Sequence, residues 1–226
     1  GGLCFVCAMS GAGLRIEPVD DLADPRLADY RNLKDAVLLR ERRRFVVEGR
    51  GNLLVLLEGA RFRPESILLG EAAFAALRTA LARLAPDVPI FVAPQPVLDG
   101  IAGFPVHRGA LAVGLLPPAQ DPEDLVREVL AACTAPRILV LEDVLDADNV
   151  GAIFRNAMAF GVRAVFTSRR GCDPLYRKAV RTSMGGALRV PFAATADVPG
   201  FLGRLRDFGF AVLAFDPKES GEEVDV

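Results

Sequence analysis

Residues 146–161, DADNVGAIFRNAMAFG, place a single arginine, Arg155, inside a run of alanine, isoleucine, phenylalanine and methionine. Asn149 is a favoured N-cap type and Gly161 a favoured residue just beyond a helix end, so the segment predicts a helix of about 11 residues. Arg155 lies off the apolar stripe of this helix, and Gly151 precedes it by one turn on the same side. A glycine there would let a ligand or another backbone approach the guanidinium, a group suited to bidentate phosphate contacts. The alternative is an ordinary surface arginine. The apolar stripe consists of Val150, Ile153, Phe154, Ala157 and Met158.

Positive charge is concentrated in two segments, although the formal net charge of the chain is −2. Residues 31–50 contain seven basic and three acidic residues, and residues 163–189 contain seven basic residues and one acidic residue. Local patches rather than net charge determine the field that a polyanion meets, so the two segments favour a nucleic-acid partner. Arginines on solvated helix faces are the competing explanation.

Several kinds of site are disfavoured by what the sequence lacks. His107 is the only histidine, and Cys4 and Cys7 form the only Cys-x-x-Cys pair, so we expect no metal site. A Ser-His-Asp or Cys-His arrangement would need His107 as its base. Neither the dinucleotide-binding G-x-G-x-x-G pattern nor a P-loop occurs. No window of 18 uncharged apolar residues predicts a membrane span, and the cysteines are interpreted as reduced thiols of a cytoplasmic protein.

The elements that must position Arg155 are expected to form two α/β units. Residues 1–14 are interpreted as a flexible leader, 15–117 as a small α/β sandwich, 118–136 as a linker and helix, and 137–226 as a second unit. Apolar periodicity in the first unit predicts helices over 50–60, 71–85 and 95–101, and strands over 64–70, 88–93 and 109–116.

In the second unit, strands alternate with single helices. This order implies a parallel sheet with right-handed crossovers. Besides the helix that carries Arg155, helices are predicted over 122–133, 174–187 and 198–209, and strands over 137–144, 163–168, 188–193 and 210–216. Ligands of open α/β sheets bind beyond the carboxyl ends of the strands, where we expect the segments 143–149, 168–173 and 215–218.

The segment LVLEDVLDADNVGAIFRNAMAFGVRAVFTS resembles the first signature of the SpoU/TrmH branch of the SPOUT superfamily, in which an apolar strand and an acidic loop precede N-x-G-x-I-x-R. The segment GCDPLYRKAVRTSMGGALRVPF is similar to the family's next segment. Upstream, RRRFVVEGRGNLLVLLEGA and HRGALAV resemble an L30e-like RNA-binding domain. The resemblance implies an α/β protein with an N-terminal L30e-like sandwich and a parallel-sheet SPOUT domain of the trefoil-knot type.

That resemblance also implies an activity, the transfer of a methyl group from S-adenosylmethionine to a ribose 2′-hydroxyl of structured rRNA or tRNA. It further implies a homodimer if the C-terminal region that closes the knot is present. Arg155 and Asn149 would be the catalytic residues, while Ser183, Met184 and Gly185 would support the pocket wall or simply pack at a helix end. The cofactor adenosine would rest on Phe215, Asp216 and Pro217, for which a plain turn after the last strand is the alternative. Contacts with the RNA backbone are expected from Arg42, Arg43, Arg44, His107 and Arg108.

The family's later signatures, a G-x-E-G turn and an S-L-N-V helix, do not occur in the 226 residues. These segments close the knot and hold most of the cofactor pocket in the family. We therefore expect the SPOUT domain to be incomplete in this chain. The alternative hypothesis is a non-catalytic RNA-binding protein that keeps the scaffold and has lost the cofactor knot.

Overall fold

Two separate β-sheets organise the chain in the computed structural model, which describes residues 13–31, 35–102 and 109–215. Four of the predicted site residues, His107, Arg108, Asp216 and Pro217, lie outside the described residues, as does most of the predicted leader. No helix in the described ranges is long and apolar enough to cross a membrane.

The first sheet has five strands in the order β1-β4-β3-β5-β2. Strands β1, β4 and β3 run parallel, whereas β5 is antiparallel to both β3 and β2. The strands are β1 (Arg15–Pro18), β2 (Arg44–Glu48), β3 (Arg63–Leu69), β4 (Pro89–Val92) and β5 (Ala110–Leu115).

Helices cover both faces of this sheet, which gives the α/β sandwich predicted for residues 15–117. Alternate strand residues enter two different cores: Ile67 and Leu69 pack with α2 and α3, and Leu68 packs with α1 and α4. The helical elements are a short 3-10 helix (Pro25–Tyr30), α1 (Asp35–Arg42), α2 (Arg50–Glu58), α3 (Glu71–Leu81) and α4 (Gln95–Ala102).

The second sheet is parallel throughout, as predicted, with β7 between β6 and β8. Helices α5 and α9 cover one face around Phe166, and α6 and α7 cover the other around Val165. Its strands are β6 (Ile138–Leu141), β7 (Ala164–Ser168) and β8 (Phe192–Thr195). The helices are α5 (Pro122–Ala132), α6 (Ala147–Ala159), α7 (Arg177–Thr182), α8 (Gly186–Arg189) and α9 (Val198–Asp207).

The single helix predicted over 174–187 is wrong, because the chain forms two short helices there. Helix α7 ends at Thr182 and α8 begins at Gly186. Between them Met184 has φ 51° and Gly185 φ 87°, and two successive left-handed residues cannot continue a right-handed helix. The strand predicted over 188–193 is displaced for the same reason, since Leu188 and Arg189 complete α8 and β8 begins at Phe192.

The strand predicted over 210–216 is also wrong for its described part, because residues 210–215 pair with no strand in the described part of the chain. The apolar alternation is present, because Phe210 and Val212 pack on the core formed by α5 and α9. Leu213 and Phe215 are 57% and 88% exposed. An alternating pattern predicts an extended segment, but a strand also requires a neighbour that completes its hydrogen bonds.

The two units share a hydrophobic core. Leu175, Val180 and Leu188 of the second unit belong to the same buried cluster as Leu53 and Leu69 of the first. Helix α7 lies against β2, and α8 lies against α2. The elements around Arg155 therefore pack on the first unit as well as on their own sheet.

Candidate functional site

The N-cap of helix α6, the helix that carries Arg155, lies three residues before the predicted one. Asp146 is the N-cap, and its Oδ1 accepts a hydrogen bond from the Asn149 backbone N at 3.0 Å. The expectation that Asn149 caps the helix is thus wrong, because Asp146 is an equally favoured cap type and lies directly before the helical residues. Asn149 is an exposed residue of the first turn.

The C-terminal end of α6 confirms the prediction from Gly161. This glycine has φ 67°, and the Val162 N–H donates to the Ala157 carbonyl at 2.8 Å. The Gly161 N–H donates to Met158 O at 3.4 Å, which completes a Schellman motif. Helix α6 is therefore fixed at both ends.

The buried face of α6 leaves Arg155 in solvent. Val150, Phe154 and Ala157 are at most 1% exposed, whereas Met158, at the margin of the predicted stripe, is 36% exposed. The Arg155 side chain is exposed and forms no hydrogen bond or ion pair with any other described residue. It is an uncompensated positive charge on a rigid helix.

Glycines let α6 approach the α7–α8 segment closely on both sides of Arg155. A Cβ on Gly151 would lie 2.7 Å from the Ala179 carbonyl oxygen and 2.7 Å from Thr182 Cβ. A Cβ on Gly186 would lie 2.6 Å from Phe154 O and 3.1 Å from Arg155 N. Of the two partners predicted for Gly151, a ligand or a backbone, the structure shows the backbone of α7.

A polar contact fixes the same side of α6 to α7. Lys178 Nζ lies 2.8 Å from Asp148 Oδ2, and the Thr182 hydroxyl donates to Asp148 Oδ1 at 2.9 Å. The Lys178 hydrogen bond, followed by that of Thr182, lowers the pKa of Asp148. Asp148 precedes Arg155 by two helical turns, so the guanidinium emerges on the flank that faces α7. Arg181 is exposed on α7 and has no ion-pair partner among the described residues.

The turn Ser183–Gly185 is built as a rigid helix end. Ser183 is fully buried; its hydroxyl donates to Val180 O at 2.9 Å and accepts from Ala187 N at 3.2 Å. Gly185 lies against Val55 of α2, where a Cβ would come within 2.8 Å of Val55 Cγ2. Helix-end packing, one of the two predicted roles, accounts for Ser183 and Gly185 but leaves Met184 60% exposed.

Two of the three segments predicted at the carboxyl edge of the second sheet meet there. The Ser168 hydroxyl at the end of β7 donates to Asp143 Oδ1 at 2.8 Å and accepts from Asp143 N at 2.9 Å. The Cys172 N–H donates to Val144 O at 2.8 Å, and burial raises the pKa of the Cys172 thiol to about 11. The polar groups at this edge mainly hold its loops together.

Of the three predicted cofactor residues, the structure describes Phe215, whereas Asp216 and Pro217 lie outside the described ranges. The Phe215 ring is 88% exposed, and Leu145 in the loop after β6 is 70% exposed. No ring contact joins Phe215 to Arg155 among the described residues, and the cofactor role of Phe215 stays a prediction.

The arginines predicted to contact RNA in the first unit make contacts within the protein. Arg44 is half-buried between Asp29, at 2.9 Å, and Glu65, which together with Asp29 raises the pKa of its guanidinium. Arg42 also pairs with Asp29, and Arg43 donates to the Pro117 carbonyl at 2.5 Å. Arg42 and Arg43 are exposed.

Sequence reasoning overlooked Asp148, Lys178 and Thr182. Their contact joins residues far apart in the chain, and no local pattern indicates it. The Asp146 cap could have been found, since an N-cap type residue precedes the helical pattern there. No group of three or more His, Cys, Asp or Glu residues suited to a metal ion occurs within the described part.

Comparisons with known proteins agree with this arrangement. The profile of the SpoU rRNA Methylase family matches residues 136–225. The chain is 38% identical over 220 residues to an uncharacterized tRNA/rRNA methyltransferase of Mycobacterium tuberculosis, covering 93% of this chain and 72% of that protein.

Solved structures share the fold. An RNA 2′-O ribose methyltransferase gives a TM-score of 0.69 at 21% identity, over 90% of this chain and 75% of that one. The AdoMet-bound rRNA methyltransferase of Sinorhizobium meliloti gives 0.68 at 20% identity, over 84% and 69%. Together with the mycobacterial relative and the family profile, they lead to one conclusion: the chain belongs to the SpoU rRNA methylase family.

Proposed function

We propose that this protein transfers a methyl group from S-adenosylmethionine to a ribose 2′-hydroxyl of rRNA or tRNA. The observation that carries the proposal is Arg155, an exposed cation without a partner among the described residues, on a helix whose ends and flank are fixed. A charge left uncompensated on a rigid element is available to a phosphate or to developing negative charge.

Arg155 has a restricted chemical role in this proposal. A 2′-hydroxyl is a weak nucleophile that must be aligned with the methyl group while its proton leaves. Arginine side chains stay protonated in proteins, so we assign Arg155 to clamping the neighbouring phosphate and stabilising the developing alkoxide, not to accepting the proton. Asn149, exposed in the first turn of α6, would help to shape the same site.

S-adenosylmethionine would supply an electrophilic methyl group. Phe215, with Asp216 and Pro217 beyond the described residues, would hold its adenosine, and the exposed Leu145 would extend this apolar contact. Support comes from the solved rRNA methyltransferase of Sinorhizobium meliloti, which binds AdoMet and shares the fold.

RNA would meet the protein on the flank where Arg155 and Arg181 are exposed. We also propose backbone contacts from the first unit through Arg42, Arg43, Arg44, His107 and Arg108. Such contacts release counterions, so the affinity for structured RNA should fall steeply with salt and should exceed that for heparin. Arg44 is expected to contribute least, because Asp29 and Glu65 already neutralise it.

We further propose that the protein acts as a homodimer. Phe160 at the end of α6 is 68% exposed, and Met158, two residues before it, is 36% exposed, so this helix end offers apolar surface to a second copy. Sedimentation equilibrium of the complete gene product measures the association directly, and a monomer at micromolar concentration would contradict it.

Variants of Arg155 test the activity. In the complete gene product, Arg155→Ala should lower methyl transfer by about a hundredfold or more, the effect typical of losing one oxyanion-stabilising donor. Arg155→Lys should also be impaired, since one ammonium cannot form the bidentate contact. The assay follows labelled methyl from S-adenosylmethionine into rRNA and tRNA transcripts, with nucleoside mass spectrometry to identify a 2′-O-methylated product.

Arg163→Ala is the matched control, because Arg163 is exposed and has no side-chain partner among the described residues but lies outside α6. It should retain normal turnover. Normal turnover of Arg155→Lys would refute the bidentate clamp. An intact protein that binds RNA but gives no calorimetric heat with S-adenosylmethionine would instead be a non-catalytic RNA-binding protein.

A further inference from the structure

Met184 has a left-handed backbone conformation and an exposed side chain. Its φ of 51° lies in the left-handed region, which a side chain with a Cβ disfavours. Its side chain is 60% exposed, so burial in the core does not compensate for the strained backbone. Strained residues of this kind persist when their surroundings fix them, and they are concentrated at binding sites.

The neighbours of Met184 hold it in this conformation. Ser183 before it is fully buried, with its hydroxyl bonded at both ends of the turn. Gly185 after it is left-handed and lies against Val55 of α2. The Met184 N–H donates to Arg181 O at 3.2 Å. The backbone is therefore fixed on both sides, and the side chain is directed outward by the fold.

The turn adjoins the backbone of Arg155. A Cβ on Gly151, one turn before Arg155, would lie 3.1 Å from Ser183 N. A Cβ on Gly186 would lie 3.1 Å from Arg155 N. Met184 falls between these two contact points, and the exposed Arg181 precedes it by three residues. An exposed apolar side chain thus belongs to the turn that packs against the Arg155 backbone. Arg155 and Arg181 are both exposed and have no ion-pair partner among the described residues.

This juxtaposition fits a nucleotide better than it fits a peptide or a lipid surface. Proteins that contact RNA combine cations on the phosphates with side chains that pack on unstacked bases. A thioether is polarisable and packs well on aromatic rings, and methionine is among the apolar residues that insert between bases. The two arginines account for the phosphates, and Met184 supplies the apolar contact.

We propose that Met184 packs against the base of an RNA nucleotide whose phosphate is held by Arg155. The proposal rests on the proposed function, because it assumes that RNA occupies the Arg155 flank. It makes Met184 a substrate-contacting residue that positions the nucleotide and takes no part in the chemistry of methyl transfer.

Met184→Gly tests the proposal, since it removes the side chain and also relieves the left-handed strain. We expect the affinity for a fluorescent tRNA or rRNA transcript to fall roughly tenfold, as for the loss of one base-stacking contact. The KM for RNA should rise with kcat little changed, and the urea midpoint should stay level or increase. Met184→Leu keeps an apolar side chain and should bind RNA within about threefold of the unaltered protein.

Ile16→Ala is the control for loss of an exposed apolar side chain, because Ile16 is 43% exposed on β1 of the first sheet. It should leave RNA affinity unchanged. Unaltered RNA affinity in Met184→Gly, or a lowered urea midpoint with normal affinity, would overturn the proposal and assign Met184 a structural role. RNA binding that depends on Met184 in a protein without methyl transfer would refute the proposed activity and leave the contact intact.

Discussion

At the scale of single residues, Arg61 shows how a half-buried charge is held without a carboxylate. Its guanidinium donates to Val190 O at 2.7 Å and Phe192 O at 3.0 Å. It also lies 4.2 Å from the centre of the Phe192 ring and 5.0 Å from that of Phe62. Burial lowers the pKa of Arg61 to about 10, within the range where the side chain remains charged at neutral pH. One side chain of the first unit thus satisfies two carbonyls beside β8.

Replacement of Arg61 should therefore destabilise the protein. Arg61→Ala removes two charge-assisted hydrogen bonds and two cation–π contacts, so we expect the free energy of unfolding to fall by about 2–3 kcal/mol. Arg61→Lys should lower the free energy of unfolding by a smaller amount, because an ammonium keeps the charge but cannot contact both carbonyls and both rings at once. Urea denaturation measures the difference.

The control for Arg61 is its neighbour Arg63, an exposed residue of β3 with no side-chain partner among the described residues. Arg63→Ala should change the free energy of unfolding by no more than about 0.5 kcal/mol. Equal effects of the two alanine variants would show that the carbonyl contacts of Arg61 contribute nothing to stability.

At the scale of elements, the contact between α6 and α7 depends on glycine. Gly151→Ala would place a methyl group 2.7 Å from the Ala179 carbonyl oxygen and from Thr182 Cβ, and the first of these is backbone that cannot rotate away. We expect this variant to lose about 1–3 kcal/mol of stability, the usual effect of overpacking. Methyl transfer should fall as well, since the flank of Arg155 shifts against α7.

Gly203→Ala provides the opposite case within the same unit. Gly203 lies in α9, and a Cβ there meets nothing within 4 Å. Alanine should stabilise that helix by about 0.5–1 kcal/mol through its higher helix propensity. If both variants gained stability in thermal or urea unfolding, the close approach of α6 and α7 would not be a constraint on residue 151.

The sequence predicted those elements whose signals are local. Helix α6 has an apolar periodicity, cap residues and a terminal glycine, but its N-cap is Asp146 instead of Asn149, and it has 13 residues where about 11 were predicted. The break between α7 and α8 was missed, since the left-handed conformation of Met184 is imposed by α2 and α6 rather than by its own preferences. The prediction of a strand over 210–216 failed in its described part because an alternation of apolar residues cannot specify a pairing partner.

The candidate site was predictable to a similar extent. Arg155 is conspicuous as one charge in an apolar run, and Gly151 correctly indicated a close approach. Which element approaches, and that the turn containing Met184 packs against α6, depends on contacts between segments about 30 residues apart in the chain. Such contacts leave no periodic trace in a single sequence.

At the scale of the whole molecule, the first unit completes a helix of the second. Tyr176, the N-cap residue of α7, makes no side-chain cap hydrogen bond. Asp35 of α1 takes that place, because its Oδ2 accepts from the Arg177 N–H at 3.0 Å. Burial raises the pKa of Asp35 despite the opposing hydrogen bond and charge of Arg177. The nearby Asp173 also has a raised pKa, mainly through burial and partly through Asp35, while Arg40 opposes the rise.

These raised pKa values give the contact between the units a defined pH dependence. A carboxyl group with a raised pKa binds its proton more tightly in the folded than in the unfolded state. Its stabilising contribution is therefore complete below the ordinary aspartate range and is lost as the pH rises through the folded pKa. Asp35→Asn keeps the oxygen that accepts from Arg177 but cannot ionise. The free energy of unfolding of this variant, compared with that of the unaltered protein, should therefore increase as the pH is raised from 4 to 7.

Asp35→Ala separates the cap from the charge. It removes the acceptor, so the Arg177 N–H loses its partner, and the variant should be less stable than Asp35→Asn by about 1 kcal/mol at every pH. Urea unfolding of the three proteins at pH 4, 5, 6 and 7 measures both effects. A pH-independent difference between Asp35→Asn and the unaltered protein would contradict the raised pKa. Equal stability of the asparagine and alanine variants would show that α7 does not depend on a cap from the first unit.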